Sequence, residues 1–104
     1  MISKKLKEEI KKRLLAKFDL EKIILFGSQA SGEANRKSDV DLLLIGKVNY
    51  DRYKMMTDAL RSLGRMKYAF DIMILTSREY EENKYIPGTI ARYAFKEGKV
   101  IYEK

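Results

Sequence analysis

The feature that most constrains the fold is an apolar run that ends abruptly in a turn of small residues. Residues 23–26 read Ile-Ile-Leu-Phe and lead directly into Gly27 and Ser28. Such a run is typical of a buried strand, and a glycine at its end lets the backbone turn sharply. If a short helix begins at Ser28, its free N–H groups and the positive end of its dipole point at the same spot. The end of this strand is therefore predicted to bind a phosphate.

A second predicted strand carries two carboxylates on one face. Asp39 and Asp41 are separated by one residue at the start of the apolar run 42–45. Side chains alternate between the faces of a strand, so the two carboxylates project from the same face, about 7 Å apart. Neighbouring carboxylates repel each other unless a cation lies between them. Mg²⁺ is commonly held by one or two carboxylates together with substrate phosphates, so the pattern indicates nucleotide chemistry.

A third carboxylate occurs in a later apolar run. Asp71 is the lone acid among the apolar residues of the predicted strand 68–75. An unpaired buried carboxylate is costly, so this acid needs a compensating partner. A salt bridge to a lysine is one explanation. A position facing Asp39 and Asp41 across the sheet explains the acid better, and we expect Asp71 to complete the metal site.

The order of these motifs resembles the DNA polymerase β-like nucleotidyltransferases. The resemblance rests on two motifs in fixed order, Gly27-Ser28-x-Ala30-x-Gly32 and Ser38-Asp39-x-Asp41-Leu42. It is greatest to the minimal nucleotidyltransferases, which often form the antitoxin half of HEPN–nucleotidyltransferase pairs. The resemblance implies a palm-like core of the α/β or α+β class, in which helices flank a small mixed sheet.

The resemblance also implies roles for particular residues. The residues that would bind the nucleotide are Gly27, Ser28, Gly32 and Ser38. The residues that would act in catalysis and hold two Mg²⁺ ions are Asp39, Asp41 and Asp71. ATP is the implied substrate, and its AMP group would move to a hydroxyl of a HEPN-type toxin.

The remaining sequence predicts alternating helices and strands. Helices are predicted over residues 3–17, 50–63 and 89–96 and after a capping box at 76–79; strands are predicted over residues 22–26, 38–45, 68–75 and 99–102. The apolar stripe predicted for the second helix consists of Tyr53, Met56, Leu60 and Leu63, with Gly64 as its stop. Four tyrosines are predicted to pack amphipathically, with a nucleobase stack or a partner surface as the alternative: Tyr80, Tyr85, Tyr93 and Tyr102.

Composition limits the available chemistry. The 104 residues include no histidine and no cysteine, so any general base must be a carboxylate, a lysine, a tyrosine or water. The length suits one modest core, and we expect residues 1–104 to form one domain. No apolar run approaches the ~20 residues of a membrane span. The N-terminal segment lacks the apolar region of a signal peptide, so we expect a cytoplasmic protein.

The net charge of +7 raises the question of nucleic-acid binding. Lysines and arginines alternate with glutamates along the predicted helices, which is typical of a solvated surface. Direct contact with nucleic acid therefore stays open but is less favoured.

Three functions remain in competition at this point. The first is an enzyme that transfers a nucleotide, most simply AMP, to a protein partner, as the resemblance implies. The second is a nucleotidyltransferase that acts on a small molecule or an RNA end, against which the short chain argues because it leaves no acceptor-binding domain, unless an oligomer supplies one. The third is a catalytically idle antitoxin or binding module, against which the retention of three costly carboxylates argues.

Overall fold

A four-stranded mixed sheet organises the part of the chain that the structure describes. The computed structural model describes residues 3–27, 40–64 and 68–104. The elements are α1 (Lys4–Leu15), β1 (Leu20–Phe26), β2 (Val40–Gly46), α2 (Arg52–Leu63), β3 (Phe70–Leu75), α3 (Ser77–Asn83), α4 (Ile90–Glu97) and β4 (Lys99–Glu103). The strand order is β3-β2-β1-β4. The predicted small mixed sheet flanked by helices is confirmed.

The sheet is mixed because β2 and β3 are joined by a helix and not by a hairpin. β1 runs antiparallel to β2 and to β4, whereas β2 and β3 are parallel. Parallel neighbours need a crossover connection, and α2 supplies it. The Asp51 carboxylate caps the start of α2 by accepting a hydrogen bond from Lys54 N, and the helix ends at Gly64, whose φ is 63°. Gly64 was predicted as the stop, and this is confirmed.

The main core lies between the sheet and the helices α1 and α2. Ile10 and Leu14 of α1 are fully buried in it, as the spacing along that helix predicts. The apolar stripe predicted for α2 is wrong in part, because Tyr53 is 79% exposed and Leu60 is 43% exposed. The buried face of α2 consists instead of Met55, Ala59 and Leu63.

A physical reason explains the error in α2. Residues 55, 59 and 63 follow the same four-residue spacing as the larger apolar residues, and the small side chain of Ala59 lets the helix axis approach the core closely. The size and hydrophobicity of the side chains alone favour the face that carries Tyr53 and Leu60, which the structure leaves exposed. Leu63 belongs to both stripes, and its predicted burial is confirmed.

The helices α3 and α4 cover part of the opposite sheet face. Their buried residues Tyr80, Ala91 and Ala94 contact the strand residues of the second core, which are Ile24, Phe26, Leu43 and Ile45. The predicted capping box at the start of α3 is confirmed, since Thr76 Oγ1 accepts from Glu79 N at 3.1 Å and Glu79 Oε1 accepts from Thr76 N at 2.8 Å. α4 ends at Gly98, whose backbone N–H donates to the carbonyl oxygen of Ala94.

No helix within the described ranges is long and apolar enough to cross a membrane.

Candidate functional site

The turn after β1 brings a backbone atom of Gly27 against a carboxylate. Gly27 has a φ of 76°, a left-handed conformation that side chains disfavour. A Cβ built on this residue would collide with Oδ2 of Asp41 and lie 3.2 Å from its Cγ. Only glycine therefore permits this conformation and this close approach together. The next residues in the predicted phosphate turn, including Ser28 and Gly32, lie outside the described residues.

Asp41 lies in a row of side chains that crosses three strands. In the sheet register it is opposite Phe26 of β1 on one side and opposite Asp71 of β3 on the other. Residues paired in this way project from the same face of a sheet. The structure thus brings Asp41 and Asp71 onto adjacent strands, one strand spacing of about 4.8 Å apart. Two residues far apart in sequence become neighbours.

The predicted burial of Asp71 is wrong. Its side chain is exposed, and so is Met73, the next residue on the same face of β3. The reason is that, within the described part of the chain, α3 and α4 pack over β1, β2 and the far end of β3 and do not cover the beginning of β3 on this face. β3 is also at the edge of the described sheet. Asp71 is consequently open to a large molecule approaching from the solvent.

The chemistry of these two carboxylates suits a hard divalent cation. Mg²⁺ takes oxygen ligands at about 2.0–2.1 Å, and aspartates on adjacent strands reach a shared ion of that size. Within the described ranges, no cluster of three acidic side chains could hold a metal ion. Asp39, the third predicted ligand, and Ser38 beside it lie outside those ranges. The pair Asp41–Asp71 therefore fits magnesium, and the predicted triad stays a prediction.

A charged contact fixes the far end of β3 relative to the helices. The Arg52 guanidinium donates to Glu79 Oε2 at 3.1 Å and to the carbonyl oxygen of Ile74 at 3.4 Å. The backbone N–H of Thr76 and this guanidinium both hold the pKa of the Glu79 carboxyl below its usual range, the backbone hydrogen bond more strongly. One cation thus ties α2, β3 and α3 together behind the exposed Asp71.

An aromatic pair borders the row of site residues. The ring of Tyr93 on α4 meets that of Phe26 edge to face, with centroids 5.8 Å apart and planes at 74°. Phe26 is buried, but 48% of Tyr93 is exposed. The sequence grouped Tyr93 with three other tyrosines; the structure shows that it contacts Phe26, which is opposite Asp41 in the sheet register. Tyr80, from the same group, is buried as predicted, whereas 66% of Tyr85 is exposed.

An open depression of about 290 Å³ lies elsewhere on the surface. It is lined by Glu21, Lys22, Glu103 and Lys104. Glu21 and Lys22 belong to the start of β1, at the opposite end of this strand from Gly27. Lys22 forms an ion pair with Glu103 at 3.3 Å. This depression is therefore separate from the row of carboxylates.

Comparison with known sequences decides the family. The sequence model described as polymerase beta, nucleotidyltransferase matches residues 8–104. The chain belongs to this nucleotidyltransferase family. It is therefore an enzyme of the nucleotidyltransferase class, and its predicted family is confirmed.

One relative of this nucleotidyltransferase comes from Methanocaldococcus jannaschii. It is provisionally named a protein adenylyltransferase and is 36% identical over 83 residues, which are 80% of this chain and 79% of the relative. The two proteins therefore match over most of their lengths.

Solved structures share the fold of this nucleotidyltransferase. A toxin–antitoxin crystallised with AMP-PNP matches 94% of this chain and 73% of its own chain, with a TM-score of 0.67 and 20% identity. A provisionally named nucleotidyltransferase from Sulfolobus solfataricus matches 96% and 79%, with a TM-score of 0.64 and 22% identity. A mutant of the toxin–antitoxin MntA-HpeT matches 94% and 73%, with a TM-score of 0.66 and 19% identity. These likenesses establish a common fold.

Proposed function

We propose that this nucleotidyltransferase transfers AMP from Mg²⁺-bound ATP to a hydroxyl group of a HEPN-type toxin and thereby acts as its antitoxin. The observation that carries the proposal is the pairing of Asp41 with Asp71 on one sheet face, beside the glycine turn. The provisional name of the archaeal relative supports adenylyl transfer to protein. The toxin–antitoxin neighbours support a toxin partner, and the AMP-PNP bound in one of them supports ATP as the donor.

The site residues divide between two tasks in this proposal. The nucleotide-binding residues are Gly27, Ser28, Gly32 and Ser38. The metal-binding and catalytic residues are Asp39, Asp41 and Asp71. Two Mg²⁺ ions bound by these carboxylates would neutralise the charge on the entering and leaving oxygens. Asp41 and Asp71 lie side by side at the end of the sheet, because the pairing of β2 with β3 fixes their backbone positions.

The reaction is a substitution at the α-phosphorus of ATP. The acceptor oxygen forms a bond to this phosphorus, the bond to the bridging oxygen breaks, and pyrophosphate leaves with that oxygen. The hydroxyl proton passes to a carboxylate oxygen of Asp71 or to water, because the chain contains no histidine. Asp71 suits this task because it is exposed on the side from which an acceptor can approach.

The acceptor is on a separate protein because the described structure leaves the face beside Asp71 open. A docked partner supplies the orientation that brings its hydroxyl to within about 3–3.5 Å of the phosphorus. AMP attached to a toxin adds bulk and negative charge, which would obstruct an RNA substrate. We place residues 1–104 in one domain acting in the cytoplasm, where a toxin that attacks RNA would be neutralised.

Thermal unfolding with Mg²⁺ and AMP-PNP tests the site. Ligand at a hundred times its Kd stabilises the folded state by about 2.7 kcal/mol, so the Tm of the wild type should rise. Replacing both Asp39 and Asp41 by Asn should abolish the rise. Glu82→Gln, at an exposed acid on α3, is the matched control and should retain it. A rise of equal size in the double variant would place the site elsewhere.

Label transfer tests the acceptor. The protein is incubated with Mg²⁺, ATP labelled at the α-phosphate and a purified HEPN-type toxin. We expect the toxin to become labelled, and Asp41→Asn to prevent it. Label on RNA or on a small molecule, with none on the toxin, would favour the second function considered above. Neutralisation of the toxin by Asp41→Asn without label would favour an idle antitoxin.

A further inference from the structure

The exposed ring of Tyr93 lies close to the row of carboxylates. Phe26 is opposite Asp41 in the sheet register, and Tyr93 contacts Phe26 edge to face. Gly27, which follows Phe26, approaches the Asp41 carboxylate closely. The ring of Tyr93 is therefore separated from the predicted metal and phosphate site by one buried side chain.

Packing against the core does not account for the position of Tyr93. The core face of α4 is formed by Ala91 and Ala94, both fully buried. Tyr93 instead rests with one edge on Phe26, while almost half of its surface is in contact with solvent. Tyr80 on α3 shows the contrast, because it is 3% exposed and has an evident packing role. An exposed ring that is supported by another buried ring is suited to stacking on a planar ligand.

The direction of the proposed reaction favours this side of the site for the nucleoside. If the acceptor enters beside Asp71 and pyrophosphate leaves toward Gly27, the line of reaction runs across the strands from β3 to β1. The nucleoside is one of the substituents of the α-phosphorus that lie off this line. On the sheet face that carries Asp41, α4 packs against β1. Its exposed Tyr93 contacts Phe26, the residue opposite Asp41.

We infer that Tyr93, supported by Phe26, stacks on the base of the bound nucleoside triphosphate. This inference rests on the proposed function of the same site. A single ring recognises the π-face that every base has, so the surface tolerates different bases and binds purines, with their larger rings, more tightly than pyrimidines. Tyr93 is a binding and positioning residue that touches the base and not the reacting phosphorus.

Titration calorimetry with two ligands separates stacking from phosphate binding. Mg²⁺–AMP-PNP contains the base, and Mg²⁺–tripolyphosphate contains only the phosphate chain. Tyr93→Ala should raise the Kd for AMP-PNP about tenfold, within the range found for stacked bases, and should leave the Kd for tripolyphosphate unchanged. Tyr93→Phe should retain the affinity of the wild type for both ligands.

The matched control is Tyr85→Ala. Tyr85 is an exposed tyrosine that also contacts another ring edge to face, that of Phe95, in the same helical hairpin. Its removal should leave both affinities unchanged. The sequence contains no tryptophan, so Tyr93→Trp adds a single fluorescent reporter, whose emission AMP-PNP should quench and tripolyphosphate should not.

The possible outcomes test this inference separately from the proposed function on which it rests. If the wild type binds neither ligand, the proposed function fails. If the wild type binds AMP-PNP and Tyr93→Ala binds it equally well, the stacking role is refuted while the function stands. An equal loss of both ligands in Tyr93→Ala would show a structural effect and would also refute stacking. Selective loss of AMP-PNP, together with selective quenching in Tyr93→Trp, supports it.

Discussion

Gly27 satisfies a conformational and a steric requirement at one position. We predict that Gly27→Ala lowers the free energy of unfolding by more than the ~1–2 kcal/mol that left-handed backbone costs an L-residue, because its Cβ also displaces the Asp41 carboxylate. Mg²⁺–AMP-PNP should then no longer raise the Tm. Chemical denaturation and thermal unfolding measure the two effects.

Gly88 provides the control for this substitution. Its φ is 89°, but nothing lies within 4 Å of a Cβ built on it. Gly88→Ala should therefore show the backbone cost alone and keep the ligand-induced rise in Tm. Equal losses of stability in the two variants, with ligand response intact in both, would show that contact with Asp41 is unimportant.

Asp71 allows activity to be separated from stability. Because its side chain is exposed, Asp71→Asn should change the free energy of unfolding by no more than about 0.5 kcal/mol. Transfer of labelled AMP should fall by at least about a hundredfold, the usual effect of losing a proton acceptor. Denaturation and initial rates check the two parts. A variant that is fully active, or one that is inactive only because it is unfolded, would contradict the proposed role.

The capping box of α3 gives a pH dependence at the scale of an element. Folding lowers the pKa of Glu79, so its ionised carboxylate stabilises the protein above the unfolded pKa, and this stabilisation is lost as the pH falls through the lowered folded value. Glu79→Gln should therefore be less stable than the wild type at pH 7, and the difference should shrink below pH 4.5, the ordinary value. Urea denaturation at a series of pH values measures it.

Thr76 tests the other half of the same box. Thr76→Ala removes the hydroxyl that accepts from Glu79 N and should cost about 1 kcal/mol with little dependence on pH, because a hydroxyl does not titrate in this range. If the stability loss of Thr76→Ala depended strongly on pH below pH 7, the pH dependence seen for Glu79→Gln would have to come from another titrating group.

The orientation of α2 is testable with two leucines of the same helix. Leu63 is 1% exposed, so Leu63→Ala should lower the free energy of unfolding by about 2–5 kcal/mol. Leu60 is 43% exposed, and Leu60→Ala should lower this free energy by less than about 1 kcal/mol. Similar losses from both substitutions would mean that α2 is rotated from the orientation described above.

Elements were predictable where neighbouring residues alone determine them. The capping box, the glycine that ends α2 and the four-residue spacing of α1 are local signals, and the structure confirms each of them. The buried face of α2 depends on what packs against the helix, so a choice between two similar stripes could not be made from the sequence. The exposure of Asp71 was missed for the same reason, since it depends on where α3 and α4 lie.

At the scale of the whole molecule, stability should be greatest in the middle of the sheet. β2 is paired on both sides, and its residues Leu42, Leu43 and Leu44 are fully buried. β4 is an edge strand whose Val100 is 51% exposed. The amides of β2 should exchange hydrogen only by global unfolding, whereas that of Lys104, which donates to the Glu21 carbonyl, should exchange by local opening. Hydrogen exchange followed by NMR would detect equal protection if this prediction is wrong.

The site itself was predictable in part from the sequence. Alternation along a strand predicts Asp39 and Asp41 on one face, and the lone acid in a later apolar run, together with the family resemblance, predicts Asp71. The register that sets Asp41 opposite both Phe26 and Asp71 is a property of the assembled sheet, and no local pattern contains it. The contact of Tyr93 with Phe26 is likewise a property of the assembled fold, because α4 must pack against β1 to form it.

The parallel crossover between β2 and β3 also sets an order of events during synthesis on the ribosome. A nascent chain that has emerged as far as α2 already contains Asp41 and the glycine turn, but not the strand that carries Asp71. The two acids meet only after β3 has emerged and added to the edge of β2, and Tyr93 follows later still. Interrupted translation would thus release fragments that contain Asp41 and the glycine turn without Asp71. On the proposed function, such fragments would lack the residue that accepts the hydroxyl proton.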